Sequence, residues 1–134
     1  MSDASLAAQS GEPFELYGAD YPTPDGSALR DYVHVADVAA ANVAAVTFLL
    51  RESTKPGYAA VNIGSGVGTS VKEAIRAVER STKRTIDVVV KPRRPGDPSK
   101  IIAINQKAQE LLGWQPEISL HGILTDAVAW YKNK

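Results

Sequence analysis

The chain switches between two hydrophobic periods. Alternating or continuous apolar runs predict strands, and apolar spacings of three and four predict helices. Strands are predicted at Phe14–Gly18, Leu29–Val35, the buried-type run Tyr58–Ile63, Ile86–Val90 and Ile101–Ile104. Helical spacing runs from Asp37 to about Arg51, with Val38, Asn42, Ala45/Val46 and Leu49 on one face. Ser70-Val-Lys-Glu73 has the form of a capping box and opens a second helix to about Ser81, with Val71, Ala74/Ile75 and Val78 inward. A third helix is capped by Asn105 and ended by Gly113, and a last amphipathic helix spans Ser119–Lys132. Residues 1–12 are small and polar and predict a loop or a frayed helix. Asp20–Ser27 and Lys91–Ser99 are rich in proline and glycine and predict loops, and Lys55–Gly57 breaks the first long helix. This alternation of strand and helix is α/β, in one unit over residues 1–134.

Composition narrows the chemistry. A chain of 134 residues with 44% hydrophobic and 22% charged positions is long enough for one core. Cysteine is absent, which excludes disulfides, cysteine zinc sites and a cysteine nucleophile. Two histidines, His34 and His121, stand far apart and predict no metal site. The formal net charge of zero speaks against a nucleic-acid or membrane-surface partner. The longest apolar stretch, Val38–Leu50, is shorter than the roughly 20 residues a bilayer span needs. Met1–Gly11 has no basic segment of the kind that opens a signal peptide, so a cytoplasmic location is expected.

The zero conceals an asymmetry. Residues 1–50 carry seven acids and one base, Arg30, whereas residues 51–134 carry eight acids and fourteen bases. Lys91, Arg93 and Arg94 cluster among prolines in the basic half. That loop is either an anion site, whose prolines preset its shape, or a solvated basic loop. In it, Gly96 would let the backbone approach a ligand, and Asp97 could accept from ribose hydroxyls or hold an arginine.

Two further motifs carry alternatives. Gly64-Ser-Gly66-Val-Gly68 follows a predicted strand, as a dinucleotide-binding turn would. The third fingerprint glycine would fall at Thr69, and no acid ends the next strand, so a tight turn with a capping box is the competing reading. In Arg30-Asp31-Tyr32-Val33-His34, the adjacent Asp31 suggests an oriented Arg30 guanidinium. His34 reads as a structural histidine bonded to backbone, with a catalytic base as the alternative.

Four ordered segments resemble UDP-glucose 4-epimerases of the extended short-chain dehydrogenase/reductase family. They are Tyr17–Ala39 with its DYPTPDG and RDY runs, Val61–Glu73, Pro92-Arg-Arg-Pro-Gly-Asp-Pro98, and Leu112-Gly-Trp-Gln-Pro116. The resemblance covers residues 13–134 and implies a partial Rossmann-like region, the C-terminal substrate-binding portion of such an enzyme. It implies that Arg30 and Arg94 converge on the UDP diphosphate, that Asp97 binds the ribose, and that the strand holding Glu15, Leu16 and Tyr17 reads the uracil through its backbone. The glycine run is structural in that family, and His34 is not its base.

The family reaction uses bound NAD and a Tyr-x-x-x-Lys pair, in which the lysine lowers the tyrosine pKa. The residues four beyond Tyr17, Tyr21, Tyr32 and Tyr58 are Tyr21, Asp25, Ala36 and Asn62, and Tyr131 stands too near the end. The resemblance therefore implies a chain that holds UDP-sugar, binds no NAD alone, and is inactive without an N-terminal cofactor domain as partner. The Asp37–Arg51 helix and the Tyr58–Ile63 strand are expected to face that domain, with self-association as a consequence of their exposure. The alternatives are a stand-alone, non-catalytic nucleotide-sugar-binding module and a fragment of another nucleotide-sugar epimerase or dehydratase.

Overall fold

Small residues at helical spacing build the first element. Ala4, Ala7 and Ala8 are buried on one side of α1 (Ser2–Ser10), where their size lets neighbouring helices come close. The predicted loop or frayed helix is thus a packed helix; alanine adds little hydrophobicity, so its face is faint in the sequence. The computed structural model describes residues 2–51 and 57–132. Along the chain follow β1 (Phe14–Tyr17), β2 (Leu29–Asp31), α2 (Val35–Arg51), β3 (Gly68–Ser70), α3 (Val71–Thr82), β4 (Val88–Lys91), β5 (Lys100–Ile101), α4 (Gln106–Leu112) and α5 (Leu120–Lys132).

The strands form two small sheets. β1 pairs with β4 in parallel, with Leu16 opposite Val90. In the other sheet β2 is central, antiparallel to β3 and parallel to β5. Two apolar clusters sit behind them. The larger joins Ala4, Ala7 and Ala8 of α1, Ile75 and Val78 of α3, Ile86 and Leu124. The smaller joins Ala41 of α2, Ala108 of α4 and Trp114, with Val61 and Ile63 against it.

Predicted boundaries shift where side chains take backbone groups away from ladders. β2 stops at Asp31, whose carboxylate reaches into other loops. It accepts from the Ser65 amide at 2.8 Å, the Gly66 amide at 3.0 Å and the Ala103 amide at 3.1 Å, and from the Ser65 hydroxyl. The Ala103 amide is thereby spent, and β5 ends at Ile101 rather than Ile104. The capping box forms as predicted: the Ser70 hydroxyl accepts from the Glu73 amide at 3.0 Å, and Glu73 accepts from the Ser70 amide at 2.8 Å. Gly113 ends α4 in the left-handed region. Asn105 precedes α4 but does not cap it; its side-chain amide donates instead to the Gly64 carbonyl at 2.9 Å.

α2 begins at Val35, not at Asp37, since the Ala36 amide donates to His34 Nδ1 at 3.0 Å and so caps the helix start. Asp37 lies inside the first turn and reaches another segment, accepting from the Glu117 and Ile118 amides at 3.2 and 3.1 Å. The Asp37 carbonyl accepts from Trp114 Nε1 at 2.9 Å, which explains the Leu-Gly-Trp turn as a tie onto α2. The buried face of α2 therefore contains Asp37 and Ala41, and the predicted face is largely exposed, with Val46 at 57% and Leu49 at 64%.

Tyr58–Ile63 is not a strand. No strand runs beside it among the described residues, so its backbone has no ladder to join, and Tyr58 is 92% exposed. The helix break predicted at Lys55–Gly57 falls mostly outside the described residues. No described helix is long and apolar enough to cross a membrane.

Burial pushes the Asp31 carboxyl up, but the Ser65 hydroxyl and the amides of Ala103, Ser65 and Gly66 outweigh it, leaving the group below the ordinary aspartate range. A depressed folded pKa gives stability that is present above the unfolded value of about 3.9 and is lost as pH falls through the folded value. Asp31→Asn is expected to cost about 1–3 kcal/mol at pH 7 in urea unfolding, since charged acceptors are lost. The gap to wild type should shrink as pH falls from about 3.9, where the unfolded carboxyl begins to protonate, through the lower folded value. A gap constant from pH 7 to pH 2 would contradict this.

Candidate functional site

β1 lays out a cleft along its free side. The Phe14 and Gly18 amides donate towards β4, to the Asp87 and Lys91 carbonyls at 2.7 and 2.9 Å. By strand alternation the main-chain groups of Glu15 and Tyr17 face the other edge, along which no strand runs among the described residues. Leu16 differs from these neighbours: its side chain is 2% exposed and its main-chain groups join the β4 ladder. A cavity of about 260 Å³ lies between this edge and α1, lined by Leu6, Ser10, Phe14, Glu15, Tyr17 and Arg94 among others.

The charges at this cleft are ordered by Tyr17. Its hydroxyl donates to the Glu15 carboxylate, and Lys91 Nζ stands 3.4 Å from the same group. The Tyr17 hydroxyl first, and then Lys91, hold the Glu15 carboxyl below the ordinary glutamate range. The Arg94 guanidinium lies over the Tyr17 ring, 3.7 Å from its centroid. Among the described residues Arg94 makes no ion pair within 4 Å.

Arg94 opens a tight turn. Pro95 and Gly96 occupy its centre, Gly96 has φ +82°, and the Asp97 amide donates to the Arg94 carbonyl at 3.2 Å. Arg94 and Asp97 thus stand at the two ends of one turn, both exposed. The same loop carries Pro98, whose carbonyl accepts from Arg30 Nη1 at 3.0 Å; the Leu29 carbonyl takes the same nitrogen at 2.9 Å. Carbonyls, not Asp31, orient Arg30. The loop of residues 92–99 therefore links the two sheets, with Arg94 near one end and Arg30 gripping the other.

Arg93 points away from its neighbour. Its Nε donates to Asp20 Oδ1 at 2.7 Å, its Nη2 donates to the Asp20 carbonyl, and its guanidinium lies 4.3 Å from the Tyr21 ring centroid. The Arg93 hydrogen bond holds the Asp20 carboxyl below its ordinary value. Proline-rich loops hide such pairings in a sequence, because Asp20 and Arg93 are far apart along the chain. The only cue was that Asp20-Tyr21 and Arg93-Arg94 sit in the two turn-rich stretches.

The glycine run does not offer its amides to a ligand. The Ser65 and Gly66 amides are taken by the Asp31 carboxylate, so a pyrophosphate there would meet a negative charge. NAD does not fit this turn. His34 is buried and bonded to backbone, as read from the sequence, and its Nε2 stands 3.1 Å from Asp126 Oδ2. No cluster of three or more metal-ligating side chains occurs among the described residues.

The family model described as GDP-mannose 4,6 dehydratase matches residues 3–127. The chain belongs to this family. Within the family it is similar to the UDP-glucose 4-epimerase of Rhizobium meliloti, at 40% identity over 98% of this chain and 39% of that protein. The crystal structure of UDP-glucose 4-epimerase from Bifidobacterium longum, in complex with NAD+ and UDP, aligns with a TM-score of 0.86. It is 36% identical and covers 98% of this chain and 38% of its own. The enzyme from Brucella ovis, in complex with NAD, gives a TM-score of 0.88 at 39% identity, over 97% of this chain and 40% of its own. The chain spans about two-fifths of the length of these relatives and corresponds to their C-terminal portion. Its α/β fold is that part of the dehydratase-family fold, a partial Rossmann-like region.

Gly18 is where the cleft tolerates least change. It has φ +83°, and a Cβ there would stand 2.5 Å from Tyr21 Cε2 and 2.8 Å from Arg93 Cγ. Gly18→Ala is expected to lower stability by about 1–3 kcal/mol in thermal or urea unfolding. A variant as stable as wild type would show that Tyr21 and Arg93 yield without cost.

Proposed function

We propose that this chain is the UDP-sugar-binding portion of an NAD-dependent UDP-hexose 4-epimerase, acting in the cytoplasm and not catalytic alone. The observation that carries this reading is the Arg94 guanidinium. It is stacked on Tyr17 beside the β1 cleft and makes no ion pair within 4 Å among the described residues, with the Glu15 carboxylate its nearest electrostatic counterpart. A planar guanidinium, oriented by the ring beneath it and free of a direct ion pair, suits a diphosphate, which it can meet with paired hydrogen bonds. The family membership and the UDP named in the Bifidobacterium longum complex support the choice of anion.

The roles follow from placement. Arg94 meets the diphosphate, and Arg30 adds positive charge from β2 through the guanidinium donors that Leu29 and Pro98 leave over. Asp97, across the turn from Arg94, accepts from ribose hydroxyls. The free edge of β1 at Glu15 and Tyr17 supplies main-chain donors and acceptors for the uracil, while Leu16 supports the edge from the core. NAD, in this reading, is held by a cofactor domain outside this chain, and it supplies the hydride acceptor for the sugar. No residue described here takes that step.

Calorimetry with UDP tests the reading. Wild type is expected to bind, and Arg94→Ala to weaken binding by about 1.5–3 kcal/mol, as for a lost charged hydrogen bond. Absence of UDP binding to the wild-type chain would sink the proposal. Interconversion of UDP-glucose and UDP-galactose by the chain with added NAD would instead refute the claim that it is inactive alone.

The open face of α2 belongs to the same reading. Val43, Val46, Leu49 and Leu50 are all more than half exposed, beside the unpaired segment that begins at Tyr58. We assign this surface to the cofactor domain, with a second copy of the chain as the competing occupant. The isolated chain is expected to bind an apolar fluorescent dye, and Leu49→Glu to reduce the signal. A monodisperse monomer that binds no dye would contradict the assignment.

A further inference from the structure

Arg93 and Arg94 are adjacent, yet the structure gives them opposite surroundings. Arg93 is clamped: one side of its guanidinium forks onto Asp20, its face rests against the buried Tyr21, and its stem passes over Gly18. Arg94 is stacked on Tyr17 and makes no ion pair among the described residues. The two tyrosines are four residues apart, with Gly18 between them. Each arginine therefore lands on its own ring of one short segment. That segment is itself braced, since the Tyr21 amide donates to the Gly26 carbonyl at 2.9 Å and Gly18 donates to Lys91.

We propose that Arg93 is a positioning residue for Arg94: its clamp on Asp20 and Tyr21 fixes the start of the 92–99 loop, so that Arg94 lies over Tyr17 before any diphosphate arrives. Two features make this more than loop stability. Arg93 is held in a direct ion pair by Asp20, whereas Arg94 makes no ion pair within 4 Å among the described residues and keeps its guanidinium donors for an anion. The turn that follows, from Arg94 to Asp97, is short and stiff, so a fixed residue 93 also sets the direction in which Asp97 leaves. A preset loop loses less conformational freedom on binding, and affinity rises without a new contact.

This inference rests on the reading that Arg94 meets the UDP diphosphate, and its test separates the two. UDP affinity is measured for wild type, Arg93→Ala, Arg94→Ala and the double variant, with exchange of the Arg94, Gly96 and Asp97 amides, above all the hydrogen-bonded Asp97 amide, followed in the ligand-free chain. Arg93→Ala is expected to weaken UDP binding roughly tenfold and to raise exchange across 94–97. In the Arg94→Ala background the Arg93 change should cost nothing further, because Arg93 acts through Arg94. Arg93→Lys keeps the charge but loses the fork, and should recover only part of the affinity.

Additive losses, or full recovery by lysine, would show a direct charge effect and overturn the proposal. Unchanged exchange across 94–97 in Arg93→Ala would overturn it whatever UDP does. If wild type binds no UDP, the functional reading falls and takes the affinity role of Arg93 with it. Raised exchange would then leave Arg93 with the loop clamp alone.

Discussion

The Asp31 carboxylate is the joint at which three parts of this molecule meet. It sits at the end of the central strand of a three-stranded sheet and draws amides from two loops that are distant in sequence. One loop leads into β3 and the capped helix α3; the other leads from β5 to α4. A carboxylate can accept several such bonds at once, and charged acceptors give stronger hydrogen bonds than neutral ones. Asp25 and Asp37 work in the same way at other joints. Asp25 accepts from the Ser27 amide and hydroxyl and from the Ser70 hydroxyl, and Asp37 gathers the segment after Trp114. Short strands and small cores are compatible with a defined fold because these acids tie loops to elements.

The same economy shapes the cleft. Its arginines are oriented by carbonyls and aromatic rings more than by carboxylates, which leaves positive charge available on one side of the 92–99 loop. Where a carboxylate does pair with an arginine, at Asp20 and Arg93, the pair is spent on holding the loop. The family's name and the names of its relatives agree in one respect: all concern nucleotide sugars.

Local chemistry was readable at several sites where partners lie close along the chain, though not at Asn105, which leaves its own helix for Gly64. The Ser70–Glu73 box, the Gly113 stop and the backbone-bonded His34 each involve residues within a few positions. Contacts made across the fold were not readable. Nothing local says that Asp37 would serve Glu117 and Ile118 instead of its own helix, or that Arg30 would seek Pro98 before Asp31. Tyr58–Ile63 shows the reverse failure: its composition is that of a buried strand, but a strand needs a neighbour, and composition cannot supply one. Of the candidate site, the Arg94 loop and the β1 edge were legible as motifs, whereas the tyrosine beneath each arginine was visible only in three dimensions.

The two apolar clusters are unequal, and the inequality divides the molecule into parts with different tolerance for fluctuation. Seven buried residues from α1, α3, α5 and the approach to β4 make the larger cluster, against three in the cluster of α2, α4 and Trp114. Regions with few buried apolar contacts open at lower free energy than the rest. Trp114 lies in the lesser cluster, whereas Trp130 is largely exposed on α5. The change in indole environment on unfolding is thus larger for Trp114, in the smaller cluster. A spectroscopic transition read from Trp114 reports directly on the packing of α2 against α4, and on the cleft and its supporting helices only as far as unfolding is cooperative.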